Sequence, residues 1–78
     1  MKARRLIEGA SYPPEALAVL SRVFDQAWLE IESDFVGDSA RENARLKLAG
    51  IILMLAPEHV GNADELKRTA LKLMARGR

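Results

Sequence analysis

Leu17-Ala18-Val19-Leu20-Ser21-Arg22-Val23-Phe24-Asp25-Gln26-Ala27-Trp28-Leu29-Glu30-Ile31 sets Leu17, Leu20, Val23, Phe24, Ala27, Trp28 and Ile31 at steps of three and four. Such steps return to one face of an α-helix, because successive residues turn by about 100°. Arg22, Asp25, Gln26 and Glu30 fall mostly off that stripe, as a helix with one buried and one wet face requires. A strand would alternate with period two, and this stretch does not. The reading is therefore helical, and the rest of the chain can be placed around it.

Upstream, Tyr12-Pro13-Pro14-Glu15 supplies a start. Proline fits the first turn, where the N–H has no intrahelical partner. Glu15 puts negative charge near the positive end of the helix dipole. The first helix is expected over about residues 13–35, with Gly37 as a left-handed terminator. Downstream, Ser39-Ala40-Arg41-Glu42 has the form of a capping box. A second helix is expected from Ser39 to about Ala56, stopping at Pro57. Asn62 with Glu65 gives a similar start for a third. Leu66, Ala70, Leu73 and Met74 would form its inner face, and Gly77 its end. Residues 1–11 read as a flexible or partly ordered basic arm. The expectation is an all-α, compact three-helix bundle over residues 12–78, joined by short connections.

The chain has 78 residues, 12 basic and 11 acidic, with a formal charge of +1. Near-neutrality favours neither a nucleic-acid footprint nor a charged disordered tail. There is no Cys and one His, so disulfides, thiolate sites and a multi-histidine metal site within one chain are excluded. No apolar stretch follows Lys2, Arg4 and Arg5 as a signal peptide would need. The longest apolar run, Leu48 to Ala56, would extend ~13 Å as a helix, against the ~30 Å of a bilayer core. These features imply no membrane association and a cytoplasmic location, and the sequence calls for no cofactor.

The pattern also resembles a group of small, functionally uncharacterised helical proteins common in alphaproteobacteria. The residues that carry the resemblance are Tyr12, Pro14-Glu15, Leu17, Leu20 and Phe24-Asp25-Gln26-Ala27-Trp28. Ala44-Arg45, Leu48 and Ile51 follow, then Gly61, Asp64, Leu66, Ala70 and Leu71. The chain departs from the group in placing Asn62-Ala63 between Gly61 and Asp64. What the resemblance implies is a helical fold in a bacterial cytoplasm, without an activity or catalytic residues.

The segment that speaks most to function is Leu48-Ala49-Gly50-Ile51-Ile52-Leu53-Met54-Leu55-Ala56, apolar on every helical face. It reads either as a core helix covered by its neighbours or as a helix whose outer face docks a partner. The outer face is assigned to Ile52, Leu53 and Ala56. Gly50, which costs about 1 kcal/mol relative to Ala in mid-helix, is expected to accommodate another backbone or the Trp28 ring. Phe24 and Trp28 share a face and read as core, with Trp28 as the candidate interface anchor.

Asp25, Glu30, Glu32, Asp34 and Asp38 cluster near the end of the first helix. Glu30, Glu32 and Asp34 stand at steps of two, so they do not converge as metal ligands or a catalytic pair would. The basic residues include Arg4, Arg5, Arg68 and Lys72, candidates for contact with phosphate or another anion. They otherwise read as helix-end charge and as partners for the acidic cluster. No nucleophile motif, phosphate loop or dinucleotide fingerprint is present. The expectation is a non-enzymatic interaction module, a homodimer or a small subunit of another protein. The alternative is a small nucleic-acid-associated protein.

Overall fold

The computed structural model describes residues 7, 9, 12–59 and 61–76. They form three α-helices and no strand: α1 (Pro14–Ile31), α2 (Asp38–His59) and α3 (Ala63–Arg76), with a short 3-10 turn, Glu32–Asp34, after α1. The all-α three-helix bundle expected from the sequence is what forms.

The start of α1 follows the reasoning from proline. Pro13 is extended (φ −63°, ψ 158°), and its carbonyl accepts the Leu17 N–H at 3.0 Å. The helix ends earlier than expected, at Ile31. Glu30 lies in its last turn with no basic residue beside it to favour the dipole, and the chain tightens into the 3-10 turn, where the Phe35 N–H reaches the Glu32 carbonyl. Gly37 does take a positive φ of 92°, but it shapes the entry to α2 rather than the exit from α1.

At that entry the Gly37 carbonyl accepts the Arg41 N–H at 3.1 Å, so α2 starts one residue before Ser39. Ser39 then sits inside the first turn, and the Glu42 carboxylate is turned to Arg45 (3.3 Å) instead of back along the chain. The Ser39 capping box is replaced by this pairing. At the other end α2 runs through Pro57 to His59. A proline one turn from a helix end forfeits only the bond to the carbonyl four residues back, here that of Leu53. Ala56, fully buried, holds the backbone in place just before it.

The cap of α3 is formed as the sequence indicates. The Glu65 N–H donates to Asn62 Oδ1 at 3.1 Å, and Asn62 Nδ2 donates to Glu65 Oε2 at 3.2 Å. Gly61, at φ 108°, makes the turn between α2 and α3. Gly77, the expected end of α3, lies outside the described residues, as does most of the basic arm. Ile7 is described, and it is fully buried in the core.

The core collects Leu20, Val23, Phe24, Ala27, Trp28 and Ile31 from α1. From α3 it takes Leu66, Ala70 and Met74. The buried face of α2 is Ala44, Leu48, Ala49, Ile52 and Ala56, in which small and large side chains alternate and let both neighbours approach closely. Among the described residues no buried side chain is charged or polar. Each helix packs on the other two, so α2 is covered from two sides at once.

Candidate functional site

The outward face of α2 is where apolar chemistry meets solvent, and its membership differs from the expectation. Ile52 and Ala56 are both 0% exposed, and Trp28 is 8% exposed. The assignment of Ile52, Ala56 and Trp28 to a partner surface is therefore corrected: all three are core. The reason is the four-residue step of Leu48, Ile52 and Ala56, which keeps them on one stripe, and that stripe faces α1 and α3. Leu53 is half-buried at the edge of the stripe.

What α2 shows to solvent is Gly50, Met54 and Pro57, flanked by the half-buried Leu46 and Leu53 on one side and by exposed Lys47 and Glu58 on the other. Met54 is 65% exposed in the middle of the most apolar segment of the chain. Gly50 is not covered by Trp28 or by any backbone. A Cβ built there meets nothing within 4 Å, so the compensation expected inside the bundle does not exist. A signal for this face was present in the sequence. Asn43, Lys47, Pro57 and Glu58 all fall on one side of a helical wheel, and each is a residue type that is mostly exposed.

Trp28 has neighbours that account for its burial. Phe35 stacks on it with ring centroids 5.9 Å apart and planes inclined by 16°. The Arg45 guanidinium lies 5.1 Å from its ring centroid. That position suits a cation–π contact, and Arg45 is held there by Glu42.

The charged candidates divide. Arg4 and Arg5 lie outside the described residues. Arg68 and Lys72 are exposed on α3. Arg68 borders an open depression of about 330 Å³ shared with Glu30, Asp64, Lys67 and Leu71. Lys67 Nζ is 2.6 Å from Glu30 Oε2 there. Two carboxylates and two cations cancel formally, which weakens the depression as a seat for phosphate. The Glu30–Lys67 pair also joins the acidic end of α1 to the basic helix, one of the pairings the sequence suggested.

A second cavity, about 60 Å³, is lined mainly by Tyr12, Val19, Leu20, Ala56, His59 and Leu66. It is far below the ~300–1,000 Å³ of small-molecule sites. His59 Nδ1 stands 3.8 Å from Glu65 Oε1 at the α2–α3 turn. Among the described residues no three His, Cys, Asp or Glu side chains converge as metal ligands would. Nor is any helix there long and apolar enough to cross a membrane.

No protein-family model matches the sequence, and neither a curated protein nor a solved structure shows significant similarity to it.

Proposed function

We propose that this chain is a non-enzymatic helical interaction module, working in the cytoplasm, whose contact surface is the outward face of α2. The observation that carries the proposal is Met54, 65% exposed between Gly50 and Pro57 on a helix whose other faces are already packed. A flexible thioether side chain suits an apolar contact that must adapt to a partner. The neighbouring glycine lets a second helix approach closely, and Leu46 and Leu53 can lose their remaining exposure when it does. The mechanism is helix-on-helix packing, with charges at the margin setting orientation.

The test is capture of partners from cells by the tagged full chain, compared with Met54→Glu and with Leu29→Glu. Leu29 is a similarly exposed apolar residue on α1, 68% accessible. A contact abolished by Met54→Glu and kept by Leu29→Glu supports the α2 face. Contacts indifferent to both variants sink it.

A second reading has one observation behind it. Arg68, Lys72 and Arg76 stand four residues apart on the exposed side of α3, about 6 Å per step along the helix, a row that suits a nucleic-acid backbone. Its discriminator is salt. Binding to DNA or RNA should weaken steeply as salt rises, and Arg68→Ala or Lys72→Ala should lower that slope by about one each.

A further inference from the structure

We propose that Met54 is an oxidation site: hydrogen peroxide converts its thioether to the sulfoxide in the folded chain, and the sulfoxide weakens the contact made through α2. The inference rests on the α2 surface proposed above and names the regulation of that surface.

Exposure selects the residue. Of the two methionines among the described residues, Met54 is 65% exposed and Met74 is 3% exposed. A side chain on a helix leans back over the turn before it, and one turn before Met54 stands Gly50. A Cβ built at Gly50 meets nothing within 4 Å, so no side chain there shields the thioether from an oxidant in solution. The chain contains no cysteine. No thiol therefore competes for the peroxide, and the reversible oxidation chemistry falls to methionine.

The step balances with peroxide as the oxidant. A lone pair on the Met54 sulfur attacks one peroxide oxygen, and the S–O bond forms as the O–O bond breaks. The other oxygen takes up the proton released and leaves as water. Sulfur has given up an electron pair, and the product is a polar, chiral group where a flexible apolar one stood.

That group is tolerated in the free chain and not in the contact. In the free chain the new oxygen bonds to water, and the core is untouched because Met74 is sheltered. Against an apolar partner the oxygen must shed that water. The residues one turn to either side, Gly50 and Ile51 before it and Pro57 and Glu58 after it, bring no side-chain donor to replace the lost bond. A polar group buried without a hydrogen bond opposes the contact. Methionine sulfoxide reductases return the thioether, so the change is reversible.

The experiment treats the native full chain with hydrogen peroxide and reads each methionine by peptide mass spectrometry. Met54 is expected to gain oxygen about tenfold faster than Met74 or more, as exposure dictates, with the unfolding midpoint unchanged. Comparable rates at the two positions, or unfolding once Met54 is oxidised, overturn the proposal. The tagged chain, freed of peroxide, is then used to capture partners from cells, and the state of Met54 is read again afterwards. The contact of the native chain is expected to weaken by about tenfold and to return after treatment with the reductases. Met54→Leu, compared only with its own untreated sample, should be indifferent to peroxide. A contact that Met54→Glu abolishes but the sulfoxide leaves intact overturns the switch and keeps the α2 surface. Contacts that ignore Met54→Glu remove the surface, and the switch with it.

Discussion

The Arg45 guanidinium of α2 lies 5.1 Å from the centroid of the Trp28 ring of α1, tying two helices at the aromatic centre of the bundle. The Trp28 ring also stacks with Phe35, beyond the end of α1. One indole thus links the helix it belongs to, the connection that follows and the helix after that. Arg45 in turn holds Glu42 at 3.3 Å, whose other carboxylate oxygen, Oε1, is buried without a hydrogen-bond partner.

Arg45→Ala is therefore expected to lose more than a surface charge. The cation–π contact is worth ~0.5–2 kcal/mol depending on desolvation, the covering methylenes add to it, and the Glu42 carboxylate loses its partner. A loss of about 1–2 kcal/mol in urea unfolding checks this. The chain has one tryptophan, so its fluorescence reports the transition and the loss of the guanidinium directly. An unchanged midpoint would show the Arg45–Trp28 contact to be incidental.

Ile52 and Met54, two residues apart on α2, are expected to behave oppositely. Ile52 is fully buried and Met54 is 65% exposed. Ile52→Ala should cost ~2–5 kcal/mol through lost transfer energy and the cavity left behind. For a chain of this length total stability is on the order of 4–12 kcal/mol, so the variant would be close to unfolding. Met54→Ala should stay within ~0.5 kcal/mol at low protein concentration. Denaturation of the two variants side by side checks which face of α2 is inside, and equal losses would contradict the assignment.

That contrast also shows how far the sequence could be read. The α1 stripe of Leu20, Phe24, Ala27, Trp28 and Ile31 was legible because polar residues mark the opposite side. The Asn62–Glu65 cap and the α3 face were legible for the same kind of reason: of Leu66, Ala70, Leu73 and Met74 all are buried except Leu73, which is half-buried. On α2 the signal faded, since aliphatic residues occupy nearly every direction between Leu48 and Ala56. Choosing the outer stripe from the apolar residues alone gave Ile52 and Ala56, which are core. The weak markers, Lys47, Pro57 and Glu58, carried the information. The end of α2 was misplaced because proline is a strong stop signal only where the helix has several turns left to lose. The early end of α1, where the chain tightens into Glu32–Asp34, left no mark in the apolar pattern, and acidic charge near a helix terminus is an effect of tenths of a kcal/mol.

Asn62→Ala should destabilise the chain by ~1 kcal/mol, the usual worth of a side-chain cap. It removes the oxygen that accepts the Glu65 N–H at 3.1 Å and the amide that donates to the Glu65 carboxylate. Hydrogen exchange should quicken first in the opening turn of α3, while the middle of α1 keeps its protection. Uniform acceleration across the chain would mean that α3 and the rest unfold only together.

Lys67→Ala should matter little despite its short contact. Lys67 and Glu30 are 2.6 Å apart, but the Glu30 side chain is half exposed, and pairs so placed contribute ~0–1 kcal/mol and are screened by salt. Thermal unfolding at low and high salt checks it: the small difference from the native chain should shrink as salt rises. A loss that persists at high salt would assign Lys67 a packing role through its methylenes.

Gly50→Ala should separate the stability of the bundle from its association. Within one chain the substitution is favourable, because a mid-helix glycine costs about 1 kcal/mol relative to alanine and the added methyl meets nothing within 4 Å. The unfolding midpoint of dilute protein should therefore rise. On the proposed α2 contact surface the same methyl takes up the space a partner helix needs for close approach, so capture of a partner should weaken while the chain itself strengthens. Denaturation of the pure chain and partner capture from cells read the two effects separately. A variant that gains stability and also holds its partner more tightly would mean that Gly50 does not lie at the contact, and that the helices meet elsewhere.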